Sequence, residues 1–325
     1  MNTTKIISTG NYCPDFIVSN LDLEQMIDTT DEWIYSRTGI KERRISKENT
    51  TLDLTYRAAL NAIEKNNIDV NTIGLIIVAT VTPDYFIPST ASLLQGKLGM
   101  SSNHVTCFDV NAACTGLIYG LQIANKFIAS GTVQRALVVG AEIFSKVIDW
   151  DDRSTCVLFG DGAGAVIIEK NTENLWIDYT NSMADEELHL CIPGLSLNHP
   201  FKPNPQVERN NYLTMNGGEI FKFATFAIKD AIEYVLEQAG LNIEDIKYIV
   251  PHQANQRIVL KIAKMMNIPI EKFYLNLQYF GNTSAASIGI ALNELYDTKV
   301  LSQGDKVILI GFGGGLTWGS ILFEY

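Results

Sequence analysis

VTCFDVNAACTGLIYGLQIANKFIAS (Val105–Ser130) is the stretch from which the fold can be read. Val105–Val110 has the length and apolar content of a buried strand. After a bend of small residues, Thr115–Ser130 places Leu117, Leu121, Ala124 and Ile128 on one helical stripe. Upstream, LIIVAT (Leu75–Thr80) is a second strand-length apolar run, and Ser89–Leu98 follows with helical spacing. Ala136–Gly140 and Gly164–Glu169 read as further strands. Strands apolar on both faces, alternating with amphipathic helices, predict an α/β protein with largely parallel central sheets.

The second half of the chain repeats this plan. KYIVPH (Lys247–His252) answers LIIVAT, and Phe273–Leu295 reads as strand, tight loop and helix, as Val105–Ser130 does. VLFGDGAGAVIIE (Val157–Glu169) pairs with VILIGFGGGLTWGSILFE (Val307–Glu324), each read as strand, Gly-rich turn and strand. Similar blocks in both halves predict a duplicated domain, with halves 1–171 and 172–325 divided at the polar stretch Asn171–Asn174.

Composition narrows the function classes. The chain has 325 residues, enough for two domains of ordinary size, and is 46% hydrophobic and 19% charged, the balance of a packed globular protein. A net charge of −11 argues against nucleic-acid or anionic-membrane partners, so any anionic partner must meet a local basic patch. Five cysteines without a C-x-x-C pair predict a reduced, cytoplasmic chain rather than a disulfide framework. MNTTKIISTGNYCPDF lacks the apolar core of a signal peptide, and no run approaches a membrane span.

GDGAG and GFGGG are each followed by strand-like sequence. A phosphate-cradling loop must open a helix, so both are read as hairpin turns and no dinucleotide site is expected. His104, His189, His199 and His252 form no ligand pattern, so no metal is expected.

Cys114 follows a strand and starts a helix. There, unpaired N–H groups and the helix dipole are expected to lower the thiol pKa, and small neighbours admit a substrate. A small buried cysteine at a helix start is the alternative reading. His252 lies just past a strand's C-terminal end, where α/β active sites collect. Asn282, in FGNTSAAS, is taken to occupy the second-half position matching the Cys114 elbow; alone it reads as a turn residue. A duplicated fold would bring all three to one seam.

DEWIYSRTGIKERR, NAACTGL, GDGAGAV, MNGGEIFKFA, PHQANQRI, FGNTSAASI and GFGGGLTWGS stand in one order along the chain. In that order they resemble the thiolase-fold condensing enzymes, specifically the β-ketoacyl-acyl-carrier-protein synthase III family. The resemblance implies a layered αβαβα fold of two pseudo-symmetric halves. It implies Cys114 as acyl-accepting nucleophile, with His252 and Asn282 assisting decarboxylative condensation of an acyl-CoA with malonyl-acyl-carrier-protein. Backbone N–H groups of Cys114 and Gly314 would form the oxyanion hole. No cofactor is implied, since both thioesters are substrates.

By the same resemblance, Trp33, Arg37, Arg153 and Asn255 would hold CoA. In residue terms Trp33 offers a stacking plane and the arginines offer guanidinium groups. Alternatively, Trp33 is ordinary core, and Arg37, Lys41, Arg43 and Arg44 are a solvated face. Arg257, Lys261 and Lys264 recur at helical spacing on one face, suited to an acidic carrier protein; Lys222 is added by resemblance. The acyl pocket would include Phe144, Phe312 and Ile87, the last reaching across a homodimer into the partner's pocket. Ile87 stands where the family often has Phe, which would admit branched or longer acyl groups. A related condensing enzyme or acyltransferase of a specialised pathway, or a non-catalytic acyl-CoA-binding protein, are the alternative functions.

Overall fold

The computed structural model describes residues 4–100, 104–195, 201 and 211–325. His199 lies outside them. The first half runs β1 (Thr4–Tyr12), β2 (Ile17–Ser19), α1 (Asn20–Glu24), α2 (Asp31–Thr38), β3 (Glu42–Arg44), α3 (Thr51–Lys65), β4 (Leu75–Ala79), α4 (Thr90–Lys97), β5 (Thr106–Val110), α5 (Gly116–Ala129), β6 (Arg135–Glu142) and β7 (Gly162–Lys170). The second runs β8 (Trp176–Ser182), β9 (Leu190–Cys191), β10 (Thr214–Met215), α6 (Gly217–Ala239), β11 (Ile246–Pro251), α7 (Gln256–Met266), α8 (Leu277–Phe280), α9 (Ser287–Asp297), β12 (Lys306–Gly313) and β13 (Thr317–Glu324).

Side-chain alternation builds the layers. Leu75 and Ile77 of β4 face a core shared by α5, α9 and both sheets, while Ile76 and Val78 face α3 and α4. On the far side, Ile308 and Ile310 of β12 pack on α6 and α7. The result is five layers: α3 and α4, the first sheet, α5 and α9, the second sheet, and α6 and α7. The helices stop and start on local signals. Thr50 and Asp53 form a capping box on α3, and Asp109 of β5 reaches over to accept from Thr90 and Ala91 N–H at the start of α4.

The sheets are mixed rather than largely parallel. Strand order is β1-β7-β6-β4-β5 in the first and β11-β12-β13-β8 in the second. Among the described strands, β4 with β5 and β6, and β11 with β12, pair parallel. β6 with β7 and β12 with β13 pair antiparallel, because no helix carries the chain back between them. GFGGG makes the expected tight turn between β12 and β13. GDGAG does not: residues 143–161 form a long excursion between β6 and β7. The expected strand at Val157–Phe159 is a run of turns with one bridge, Phe159 to Asn282. The true counterpart of β12 is β6. Likewise, the expected strand at Phe273 is a single bridge to Ile249, at the position equivalent to β5.

GDGAG and the α9 sequence meet where backbones touch. A Cβ on Gly164 of β7 would fall 2.5 Å from Gly289 C, so α9 lies on the strand with no room for a side chain. Among the described residues, no helix is long and apolar enough to cross a membrane.

Candidate active site

Each half presents a tight elbow to the seam. In the first, Asn111 Oδ1 accepts from Ala113 N–H, Ala113 takes φ +44°, and a 3₁₀ turn (Ala113–Thr115) leads into α5. In the second, Asn282 Oδ1 accepts from Ser284 N–H at 2.9 Å, Ser284 takes φ +48°, and Ser284–Ala286 leads into α9. The two elbows superpose in sequence as NAACTG on NTSAAS. Asn282 thus stands in the elbow matching that of Cys114, as expected; within it Asn282 corresponds to Asn111, and the equivalent of Cys114 is Ala285. Positive φ on non-glycine residues costs energy and is held here by the packing around it.

Cys114 lies at the meeting point of two cavities. One, of about 530 Å³, is lined by Val81, Phe86, Ala112, Cys114, Phe144, Phe159, Leu190, Leu213 and Gly314, among others. The other, of about 110 Å³, is lined by Cys114, His252, Asn282, Asn255, Phe312 and Gly313, among others. The thiol, imidazole and carboxamide thus face one space. Phe144 stacks on Phe159 with ring centroids 4.7 Å apart in the larger cavity. Phe312 does not join Phe144. It lines the smaller cavity and meets the His252 ring edge-on at 5.2 Å, because β12 directs it toward α7. Ile87 lies outside both cavities and is 88% exposed.

The electrostatics of the thiol differ from expectation. Complete burial pushes Cys114 up to about 12, with the Glu142 carboxyl adding to the effect; the nearby Ser284 hydroxyl and the backbone oppose it. Desolvation outweighs the short helix start, so the resting group is a thiol. Glu142 is itself pushed up to about 8 by burial, although Thr82 Oγ1 and the Val81 and Thr82 N–H groups donate to it. His252 is pushed down to about 3 by burial and is a neutral imidazole, and its backbone N–H donates to Ile310 O at 2.7 Å.

Residues to which the sequence reading gave no part in the site hold this geometry. Arg43 is fully buried, contrary to its reading as part of a solvated face. Its guanidinium donates to Val18 O and Val157 O, and burial pushes it down to about 10. That braces the segment whose Leu158 O accepts from Asn282 N–H. Gln253 donates to Pro251 O and Tyr274 O and accepts from Asn276 N–H, tying the His252 loop to the chain leading to Asn282. Thr317 Oγ1 donates among Ala112 O, Thr115 Oγ1 and Gly314 O, locking the Gly-rich hairpin to the Cys114 elbow. A buried serine or arginine carries no sign in sequence of where its polar atoms point.

Outside the cavities, the Arg37 and Arg153 guanidinium carbons lie 4.9 and 5.1 Å from the Trp33 ring centroid. Arg153 also donates to Asp28 O. Asn255 caps α7 through Arg257 N–H and donates to Arg37 O at 3.1 Å, joining the smaller cavity to this arginine–tryptophan cluster. Arg257, Lys261 and Lys264 are exposed on α7, and Lys222 is exposed on α6, where it pairs with Glu219. Among the described residues, no group of His, Cys, Asp and Glu is arranged to hold a metal.

A duplicated five-layered α/β fold with a thiol, an imidazole and an amide at its seam defines a condensing enzyme of the thiolase fold. The profile of 3-oxoacyl-[acyl-carrier-protein] synthase III matches residues 108–185, and that of its C-terminal part matches 236–325. The chain is 48% identical to beta-ketoacyl-[acyl-carrier-protein] synthase III of Clostridium acetobutylicum, covering all of this chain and 99% of the relative. It is also 48% identical to that of Clostridium novyi, covering all of both. The crystal structure of the Aquifex aeolicus 3-oxoacyl-[acyl-carrier-protein] synthase III superposes with a TM-score of 0.91 at 43% identity, covering 99% of this chain and all of that one. The chain belongs to the 3-oxoacyl-[acyl-carrier-protein] synthase III family.

Proposed function

We propose that this chain initiates fatty-acid synthesis by condensing an acyl-CoA with malonyl-acyl-carrier-protein. The observation that carries the reading is Cys114 at the junction of two cavities, with His252 and Asn282 facing it in the smaller one. Cys114 Sγ attacks the acyl-CoA thioester, the C–S bond to CoA breaks, and the thiol proton leaves on the CoA sulfur. The N–H groups of Cys114 and Gly314 receive the carbonyl oxygen as it becomes an oxyanion. Malonyl-carrier-protein then loses CO₂. Its enolate, held by His252 and Asn282, attacks the acyl carbon, the Cys114 C–S bond breaks to release 3-oxoacyl-carrier-protein, and the departing thiolate takes a proton from solvent to restore the thiol. All of this uses groups of the chain and its two substrates, without a cofactor or metal.

The larger cavity, walled by Phe144 and Phe159, takes the acyl group, and Ile87 in place of a flat ring favours chains longer or more branched than acetyl. Trp33, Arg37 and Arg153 bind the CoA nucleotide, with Asn255 on the pantetheine arm. Arg153 rests against Trp33, so it must swing outward to admit an adenine ring. Exposed Arg257, Lys261, Lys264 and Lys222 receive an acidic carrier protein. β5 is an edge strand, and Tyr85, Phe86 and Ile87 are exposed, which supports a homodimer in which Ile87 enters the partner's larger cavity. Mass spectrometry of the intact protein after incubation with acetyl-, isobutyryl- and octanoyl-CoA tests the reading. One acyl adduct on Cys114 is expected, fullest with a branched or longer chain; no adduct with any of the three overturns it.

A further inference from the structure

His252 is a neutral imidazole, so one ring nitrogen carries the N–H and the other is a bare acceptor. Which is which decides its chemistry. An Nε2–H facing the cavity donates to an oxyanion; a bare Nε2 can only take a proton. The other nitrogen, Nδ1, lies 2.7 Å from Ser287 Oγ, and both residues are buried. Ser287 opens α9, and its oxygen already accepts from Gln253 N–H at 3.4 Å. Among the described contacts, Nδ1 is the one acceptor available to the hydroxyl proton. A buried hydroxyl keeps its proton paired, so the proton points at Nδ1 and that nitrogen is bare.

We propose that Ser287 is a positioning residue that fixes His252 as its Nε2–H tautomer, making the imidazole a hydrogen-bond donor to the enolate oxygen rather than a resting base for Cys114. The inference deepens the condensation reading and rests on it for the identity of that oxygen. The same turn sets the second donor. Ser284 N–H occupies Asn282 Oδ1, which leaves the Asn282 Nδ2 group for the cavity. One five-residue segment after Asn282 thereby orients both donors.

The test uses the full chain with ¹⁵N-labelled histidine at pH 7, reading ring tautomers by long-range ¹H–¹⁵N correlation, beside the two half-reactions measured separately. The wild-type His252 signal is expected to show bare Nδ1 and protonated Nε2. Ser287→Ala is expected to populate the other tautomer and slow discharge of acyl-Cys114 by malonyl-carrier-protein roughly 10- to 100-fold. Acylation of Cys114 should stay within about threefold, and Ser287→Thr, which keeps the hydroxyl, should restore discharge. A protonated Nδ1 in the wild type overturns the proposal, as does unchanged discharge in Ser287→Ala or an equal loss in both half-reactions. If Ser287→Ala does not fold, the wild-type spectrum decides alone. Failure of the wild type to form acyl-Cys114 would instead sink the condensation reading while leaving the tautomer measurable.

Discussion

Replacing Gly313 by alanine puts a methyl group against Cys114. A Cβ at that position falls 2.8 Å from Cys114 Cβ and 3.1 Å from both its nitrogen and its sulfur. Ordinary contact starts at 3.4 Å, so the hairpin and the elbow must part by roughly half an ångström. The hairpin cannot yield easily: Gly313 is in register with Thr317, whose hydroxyl is bonded to the elbow itself. The elbow must therefore shift, carrying the sulfur away from His252 and Asn282. Since a misplacement of about 1 Å costs about 10²-fold, a loss of about tenfold in the acylation rate is expected. Overpacking should cost about 1–3 kcal/mol of stability, leaving the variant folded. Rapid-quench intact mass with acyl-CoA reads the rate, and circular dichroism reads the fold. Gly96→Ala, on α4 with nothing within 4 Å, is the control and should change neither. A folded Gly313→Ala enzyme acylated at the wild-type rate would refute the claim that this hairpin holds the sulfur in place.

Glu142 and His252 give stability a calculable pH profile. Glu142 is raised in the fold from 4.5 to about 8, so its contribution is full below 4.5 and is lost as pH rises through 8. His252, depressed from 6.5 to about 3, works oppositely, its contribution being complete above 6.5. Between pH 6.5 and 8 the Glu142 decline is unopposed, and Glu142→Gln should flatten urea midpoints there; an unchanged slope excludes Glu142 as the cause. The double variant Arg257→Glu, Lys261→Glu should raise KM for malonyl-carrier-protein about tenfold or more at low salt and leave acylation by acyl-CoA unchanged. Equal binding of carrier protein would remove α7 from the docking face. Arg153→Ala should raise KM for acyl-CoA roughly fivefold with kcat intact, about 1 kcal/mol of cation–π and stacking contact; an unaltered KM would separate Arg153 from CoA.

Much of the architecture was legible because periodicity reports burial. LIIVAT became β4, the Leu117–Ile128 stripe became the buried face of α5, and Ser89–Leu98 became α4 with those two residues as its caps. Strand direction was not legible, since an apolar run looks alike whether its neighbour is parallel or antiparallel, and VLF at Val157–Phe159 has strand composition but lies in turns. At the site, residue types with few uses announced themselves: Cys114, His252 and Asn282 line one cavity. Ser284, Ser287, Gln253 and Arg43 did not, because their value lies in hydrogen-bond direction, which only the fold sets. The misjudged thiol has the same origin. Helix position is visible in a sequence, whereas complete desolvation of a side chain is not.

One measurement bears on the whole account: discharge of pre-acylated Cys114 by malonyl-acyl-carrier-protein, followed by intact mass in the wild type and in Asn282→Ala. Both proteins should take the acyl group from acyl-CoA at similar rates. The wild type should then lose it as 3-oxoacyl-carrier-protein appears, while Asn282→Ala should discharge about 10²-fold or more slowly. Discharge at equal rates, or failure of Asn282→Ala to be acylated at all, would contradict a division of labour between the Cys114 sulfur and the two donors facing it.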